Sequence, residues 1–471
     1  MIYLLILFPL LLSLITIAIG LRNGLLSPMS LFGIHMMLGV AFRAYFVEGS
    51  GVSLDTFLDV LTRTVSVDTD AIMFELMLAQ TCVLLGYLGF PNWLSYRSAT
   101  VVGNQFALVR GGYAVRVVAL TIFLASWAIY LIFMMKEFGS IQAAFLSMQK
   151  RALLYDSDVA MTRKLVFVAA AAMAAYTYAV AHDIRYLRGL SVVIWAGLLA
   201  FHVGAMFMTG SRGATLTHLM LFAFVFWVGS GRRTFRLGPS AIGLASVLAP
   251  VVGSIVLIGM ASRIAGQDHI PFTQALGVAL ERGPQILSAT FPIFDLYAAA
   301  RYFADANGHD FGMQYLNYIT RFIPRDLWGD KPMTLGIQMR LFYYNDTLSG
   351  VPPTVFGEYY IAFGILGIVA GSIMFGFILS VLTSMQRMLY ARPEYGAVYL
   401  FLLISITFGV VKSGFENSLF NFLYFAVSLL AVRLLCAKLG GLIGGRKRTR
   451  QEPAISHTDM SLGKPSDVPY R

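Results

Sequence analysis

The sequence is poor in charge and in cysteine. Asp, Glu, Lys and Arg make up only 13% of its 471 residues and apolar types make up 58%, whereas an average soluble domain carries about 25% charged residues. Such a chain cannot build a water-exposed surface, which excludes a cytosolic enzyme and a disordered protein. The two cysteines, Cys82 and Cys436, lie inside or at the edge of apolar runs. They indicate neither a secreted disulfide scaffold nor a metal site.

Long apolar runs fill most of the chain instead. A helix needs about 20 apolar residues to cross a bilayer. The runs that approach this length are 2–20, 26–46, 71–93, 114–135, 165–181, 189–208, 213–229, 239–260, 356–383, 396–412 and 417–437. The second is the weakest, because it contains His35 and Arg43. We predict an all-α, polytopic membrane bundle of about 11 helices, with spans one to eight in 1–260 and the rest in 356–437.

Basic residues predict the orientation of these helices. The first run has no basic segment before it and has Arg22 after it, so we expect it to remain as a span with its N-terminus outside. Five segments carry more basic than acidic residues and fall on one side of such a bundle: 94–113, 182–188, 230–238, 384–395 and 438–471. The positive-inside rule makes that side the cytoplasm. The net charge of +11 therefore indicates topology and contacts with anionic lipids, with no nucleic-acid partner.

Two segments lie outside the predicted spans. Residues 438–471 are expected to form a cytoplasmic tail, polybasic at first and then disordered. The outside connection 261–355 is too long for a turn and too apolar for a flexible linker. Its helix-like apolar spacing over 272–305 is interrupted by Pro284 and Pro292. We predict a large periplasmic loop folded into a cap of short re-entrant or interfacial helices.

The same loop is rich in arginine. Its basic residues are Arg263, Arg282, Arg301, Arg321, Arg325, Lys331 and Arg340. Outside loops usually contain few Lys and Arg, and the arginine guanidinium is a planar fork that matches phosphate oxygens. The pattern favours an anionic ligand at the outer face. The alternative is that these residues pair with the loop's own eight acidic residues.

Two motifs add to the predicted anion site. Residues 209–214 read TGSRGA, where Ser211 suits the start of a helix whose free N–H groups bind anions, and Arg212 adds a full charge. The alternative is a tight turn between helices with an arginine that reaches the membrane surface. Residues 323–332 read IPRDLWGDKP, with alternating charges between two prolines. The alternative here is a rigid turn that neutralises itself.

A third motif opens the run that follows the loop. Residues 352–360 read PPTVFGEYY, and Glu358 falls in or near the first helical turn, where the helix dipole favours a carboxylate. An ionisable residue this close to hydrocarbon is a functional candidate by default. Compensation of the helix dipole alone is the alternative.

Taken in order, these motifs carry a family resemblance. TGSRG, then IPRDLWGDKP, then GEYYIAFGILGIVAG resembles the bacterial oligosaccharide repeat-unit polymerases, the Wzy-type O-antigen polymerases. The resemblance covers about residues 205–380, and its most specific part is the second motif followed by the Gly-Glu pair. One departure is Gly329, where proline is expected before Asp-Lys-Pro.

The resemblance implies a C-type glycosyltransferase-like bundle in the bacterial inner membrane. It implies that a glycan chain on undecaprenyl diphosphate is transferred to the terminal sugar hydroxyl of an incoming lipid-linked repeat unit. Undecaprenyl diphosphate then leaves, and O-antigen or exopolysaccharide grows at the periplasmic face. The implied partners are the undecaprenyl-diphosphate-linked oligosaccharide, membrane lipids and a chain-length regulator protein.

Residue roles follow from the departing diphosphate, which needs charge stabilisation more than a strong acid. The predicted diphosphate ligands are Ser211, Arg212, Arg321, Arg325 and Lys331. Arg212 and Arg325 are predicted to be catalytic, together with Glu358 as the base that accepts the hydroxyl proton. Further candidates are Arg263, Arg282, Arg301, His309, Asp310, Asp330 and Arg340, with His309-Asp310 as the second choice of base.

No cofactor and no metal are predicted. Asp68/Asp70 and Asp156/Asp158 have the Asp-X-Asp spacing of metal-dependent glycosyltransferases, but this spacing is common by chance. The histidines show no zinc-ligand spacing. Two alternatives remain open. One is a ligase-like glycosyltransferase with another acceptor, and the other is a flippase or transporter of lipid-linked glycans. The transporter is disfavoured because the sequence has no internal repeat and its charges concentrate at the outer face.

Overall fold

The computed structural model describes residues 2–24, 27–45, 68–90, 92–109, 112–140, 164–183, 189–208, 212–230, 261, 271–281, 292–320, 327–328, 332–345, 347, 350–389 and 391–443. Within these ranges the protein is all-helical (88% helix) and contains no strand.

The helices are numbered in chain order. They are α1 (Ile2–Leu21), α2 (Pro28–Met36), α3 (Thr69–Gly89), α4 (Asn92–Phe106), α5 (Tyr113–Phe138), α6 (Leu165–His182), α7 (Gly189–Met208), α8 (Arg212–Gly229), α9 (Phe272–Glu281), α10 (Ile293–Asn307), α11 (Met313–Thr320), α12 (Leu335–Tyr344), α13 (Thr354–Met388), α14 (Gly396–Ile404) and α15 (Val411–Ile443). One π-helix (Met37–Phe42) follows α2, and a second (Ser405–Val410) follows α14. A 3-10 turn (Pro393–Tyr395) comes directly before α14.

Six helices of the described chain are long and apolar enough to cross a membrane. They are Thr69–Gly89, Tyr113–Phe138, Leu165–His182, Thr354–Met388, Pro393–Phe415 and Ser418–Leu439. Three shorter apolar helices are Leu7–Leu21, Ser191–Met206 and Thr217–Gly229. Together they coincide with every predicted run except 26–46, which folds as α2 and a π-helix, and 239–260, which lies outside the described residues. The prediction of a helical membrane protein is confirmed, and the number of about 11 spans stays a prediction.

Small side chains let the central helices pack closely. The alanine-rich segment 169–175 of α6 is buried, and α6 as a whole contacts α5, α7, α8 and α15. α3 and α13 cross at Gly86 and Gly376, where an added Cβ at either glycine would overlap the backbone of the other helix. Close backbone approach through small residues is the usual basis of helix association in membranes.

The long helix α13 begins in the interior of the bundle. All of its residues from Thr354 to Ala362 are buried, and the helix is then interrupted at Phe363 (φ −144°, ψ 18°) and Gly364 (φ 60°, ψ −142°). α15 is interrupted in the same way at Gly414 (φ 78°, ψ 175°). Two helices that pack on each other are therefore both broken, and both breaks free backbone N–H and C=O groups for other partners.

Part of the predicted loop 261–355 packs inside the bundle. α10 begins directly after Pro292, one of the two prolines expected to interrupt the helical pattern. Its residues 293–300 are all buried, and it contacts α3, α13 and the first π-helix. Pro284 lies outside the described residues. The loop therefore contributes a core helix that sits directly beside the buried start of α13.

Candidate functional site

Glu358 lies at the meeting point of α11, α13 and α15. Its side chain is fully buried, at 0% exposure. The Tyr318 hydroxyl donates to its Oε1 at 2.7 Å, and the backbone N–H of Phe415 donates to its Oε2 at 2.8 Å. Glu358 is the fifth residue of its helix, so it lies just past the first turn. Its carboxylate accepts hydrogen bonds from α11 and α15. These contacts argue against compensation of the α13 dipole as its main role.

The break in α15 creates one of these two donors. At Gly414 the chain leaves helical geometry with a positive φ, and the Phe415 N–H lies at the start of the resumed helix, where backbone N–H groups generally lack an intrahelical partner. An added Cβ at Gly414 would overlap the Glu358 carboxylate. Glycine is therefore required both by the backbone conformation and by the close approach of the carboxylate.

α11 supplies the other contacts to Glu358. Besides the Tyr318 hydroxyl, the Gln314 amide Nε2 donates to the backbone carbonyl of Glu358 at 2.7 Å. Both donors lie on one face of α11, because residues four apart in a helix are neighbours. The helix therefore fixes both the backbone and the carboxylate of Glu358.

His309 and Asp310, the second choice of base, lead into α11. The Asp310 carboxylate accepts from the N–H groups of Gly312 (2.9 Å) and Gln314 (3.2 Å), which caps the start of the helix. Burial raises the pKa of this carboxyl group, although the two N–H donors oppose the shift. The Asp310 N–H donates at 3.0 Å to the carbonyl of Ile361, which the break in α13 leaves available.

The break in α13 also borders His309. The exposed His309 ring packs edge-on against Tyr360 at 5.5 Å between centroids. The described contacts therefore hold both members of the pair beside the turn of α13 that follows Glu358, while the described hydrogen bonds to the Glu358 carboxylate come from Tyr318 and Phe415.

Arg301, predicted as a possible anion ligand, pairs with a carboxylate of the bundle. Its Nε lies 3.2 Å from Oε2 of Glu75 on α3, and the same oxygen accepts from the Tyr297 hydroxyl at 2.8 Å. A second pair joins Arg43 to Asp295 at 2.8 Å, with both side chains almost fully buried. Arg301 and Asp295 of the loop thus pair with residues outside the loop, whereas the alternative predicted pairing with the loop's own acidic residues.

The remaining predicted residues fall into three groups. The Arg340 guanidinium lies over the ring of Tyr344 at 3.9 Å, on α12. Arg212 is the first residue of α8, where the motif predicted a helix to start, but its side chain is not among those described. The predicted residues outside the described ranges are Ser211, Arg263, Arg282, Arg321, Arg325, Asp330 and Lys331. The diphosphate cluster therefore stays a prediction.

Sequence reasoning missed three residues of this site. Tyr318 and Gln314 precede Glu358 by 40 and 44 residues, and no local pattern pairs them with it. Gly414 carried a weak signal, because it falls in the short gap between the predicted runs 396–412 and 417–437. The structure shows that the chain breaks there and that the Phe415 N–H donates to the Glu358 carboxylate.

A separate polar chain lies among α5, α7 and α8. The Trp127 indole N–H donates to Nδ1 of His202 at 3.1 Å, and Nε2 of His202 lies 3.0 Å from Nδ1 of His218. Since Nδ1 of His202 accepts, its Nε2 carries the proton and donates to His218. Both histidines are buried, and we interpret the chain as a polar link between apolar helices.

Neither a metal-ligand cluster nor a similar known protein assigns a role to these residues. Among the described residues, no group of three or more His, Cys, Asp or Glu side chains is arranged to hold a metal ion. No family model, no curated protein and no solved structure matches the chain.

Proposed function

We propose that the protein is a membrane glycosyltransferase that polymerises oligosaccharide repeat units carried on undecaprenyl diphosphate. It works at the periplasmic face of the bacterial inner membrane, in a bundle of about 11 spans with a cytoplasmic C-terminus. The proposal rests on the motifs of residues 205–380 and on one structural observation. A fully buried carboxylate, Glu358, is held by two donors between two broken helices and a loop helix.

The reaction assigns a role to this carboxylate. The acceptor hydroxyl oxygen bonds to the anomeric carbon of the donor glycan, and the bond from that carbon to the diphosphate oxygen breaks. The hydroxyl proton passes to Glu358, which acts as general base. A carboxylate held from two sides does not need to reorient during the reaction, so its position is prepared in advance.

The departing diphosphate requires positive charge. Arg212, Arg325 and Lys331 supply it in this proposal, with Ser211 and Arg321 as further ligands. The loop charges that pair with the bundle, such as Arg301 with Glu75, then serve to anchor the loop rather than to bind the diphosphate. No metal step is required, because fixed arginines can neutralise a diphosphate in a dry site.

The breaks in α13 and α15 favour a second candidate, a transporter of lipid-linked glycans. Discontinuous helices that meet at an ionisable residue are typical of transport sites. A ligase-like enzyme would share the donor and differ only in its acceptor. One purified system separates the three: the protein with lipid-linked repeat units makes a ladder of longer chains, joins the glycan only to another acceptor, or moves the lipid across vesicles without making product.

Glu358→Gln tests the proposed base. Transfer should fall by about 10²–10⁴-fold, the usual contribution of a general base. Because a glutamine amide cannot accept from both Tyr318 and Phe415 in the same way, thermal unfolding in detergent must show that the variant is folded. Glu358→Asp keeps the carboxylate and should retain part of the activity. Full activity in the Gln variant would show that no base sits at this position.

A further inference from the structure

The buried amide of Gln314 has one atom without a partner. The side chain is only 3% exposed, and its Nε2 donates to the Glu358 carbonyl, which identifies Oε1 as the remaining atom. Within the described part of the chain, no donor lies within hydrogen-bond distance of that oxygen. A buried acceptor without a donor is costly, so it marks a position where a ligand can supply the missing hydrogen bond.

The position of this oxygen is fixed by its helix. Gln314 and Tyr318 lie on the same face of α11, and both contact Glu358. Asp310 caps the start of α11 and is tied to the backbone of α13 through Ile361. The Gln314 oxygen is therefore held beside the start of α13 by contacts that do not depend on a ligand.

The chemistry of the two groups limits what can bind. A carboxylate and an amide oxygen are both hydrogen-bond acceptors, so they favour a ligand that presents O–H donors and disfavour phosphate oxygens. We propose that Gln314 and Glu358 form the subsite for the acceptor sugar, in which Gln314 accepts a hydrogen bond from one sugar hydroxyl and Tyr318 positions the Glu358 carboxylate. The inference rests on the proposed function and places the diphosphate elsewhere.

Substitutions of the two neighbours of Glu358 should affect different kinetic constants, Gln314 mainly KM and Tyr318 mainly kcat. Gln314→Met removes the acceptor at similar length together with the Nε2 donor to the Glu358 carbonyl, so KM for the acceptor substrate should rise about 10-fold, the equivalent of one hydrogen bond, while kcat falls less than in Tyr318→Phe. Tyr318→Phe should lower kcat about 10-fold or more and leave this KM unchanged, because the hydroxyl acts through the carboxylate. If both variants changed KM and kcat in the same proportions, the assignment of separate roles would be overturned.

Two matched variants control for the loss of a hydrogen bond away from Glu358. Gln338 Nε2 donates to the Met333 carbonyl at 2.8 Å, and the Tyr343 hydroxyl donates to the Ala299 carbonyl at 2.7 Å. Gln338→Met and Tyr343→Phe should both remain within about 2-fold of the wild type in KM and kcat. If Gln314→Met behaves like Gln338→Met, the subsite is wrong even though the protein makes polymer. If Gln314→Met does not insert into the membrane, Gln314→Asn replaces it in the test. This variant withdraws the oxygen by one methylene, so KM should rise, but by less than the increase of about 10-fold expected for Gln314→Met.

A binding measurement separates the subsite from the polymerase function. The probe is the repeat-unit oligosaccharide without its lipid, added to the full-length protein in detergent during thermal unfolding. It should raise the melting temperature of the wild type and of Gln338→Met but not of Gln314→Met. This result in a protein that makes no polymer would support the hydroxyl subsite and reject the polymerase. Equal stabilisation of Gln314→Met would overturn the subsite.

Two ions serve as competing probes in the same measurement. Inorganic pyrophosphate should not produce a shift that depends on Gln314, because both groups of the subsite are acceptors. Sodium chloride should change the melting temperature by the same amount as choline chloride at equal concentration. A Gln314-dependent shift with pyrophosphate would make this an anion site, and one with sodium would make it a cation site. Either result would overturn the proposal.

Discussion

At the scale of single residues, Gly414 carries the most sharply defined requirement. Its positive φ lies in a region that only glycine adopts easily, and a Cβ would overlap the Glu358 carboxylate. Gly414→Ala should therefore destabilise the protein by about 1–3 kcal/mol and reduce transfer more than stability alone explains, because Glu358 must move. Thermal unfolding and the transfer assay, measured on the same preparation, check both parts.

A second glycine provides the control for this variant. Gly204 lies inside the apolar helix α7, and a Cβ there meets nothing within 4 Å. Gly204→Ala should leave transfer unchanged and stability equal or slightly higher, since alanine is the better helix former. If Gly414→Ala were equally silent, the break in α15 would not be what positions Glu358.

At the scale of the element, α11 depends on its cap at Asp310. Asp310→Ala removes a carboxylate whose two oxygens each accept from one backbone N–H, and it should cost about 1 kcal/mol of stability. Asp310→Asn keeps one of the two acceptor oxygens and should cost less than the Ala variant. Since α11 holds Glu358, the Ala variant should also lose transfer activity, whereas retention of full activity would separate the cap from the site.

The pH dependence of the same residue has a definite sign. Burial raises the pKa of the folded Asp310 carboxyl above its unfolded value of about 3.9. The folded state then binds this proton more tightly, so stability declines as pH rises from the unfolded value through the folded one. Asp310→Asn lacks this decline. The melting temperature of Asp310→Asn minus that of the wild type should therefore rise as the pH increases above about 4, and a difference that falls instead would contradict the raised pKa.

At the scale of the whole molecule, the sequence predicts apolar helices better than the contacts between them. Hydropathy alone locates the six long helices, because crossing a bilayer requires a local run of apolar residues. Glu358 stands out for a related reason, as one charge in an apolar run. Its partner Tyr318 does not stand out, because a tertiary contact between residues 40 positions apart produces no pattern in the sequence. The helix breaks depend on single glycines, whose geometry becomes visible only when a neighbour approaches.

The ion pairs show the same limit and explain how the loop is joined to the bundle. Arg43 lies in the weakest predicted span and Asp295 in the predicted loop, and neither position indicates the other. Their side chains are 3% and 2% exposed, whereas Arg301 in the second pair is 22% exposed. The buried pair should therefore be the firmer anchor of α10, and the pair of Arg301 with Glu75 the weaker one.

Removing one partner at a time tests this ranking. Arg43→Met leaves a buried carboxylate without its cation and should cost about 3–5 kcal/mol, whereas Arg43→Met combined with Asp295→Leu replaces the pair by apolar contacts and should recover most of that loss. Arg301→Met should cost less, because solvent still reaches that pair. The measurement is thermal unfolding together with protease cleavage within 261–355, since a released α10 exposes the loop. If Arg43→Met left both unchanged, α10 would be held by its apolar face alone, and the position of the loop helices around Glu358 would not depend on charge.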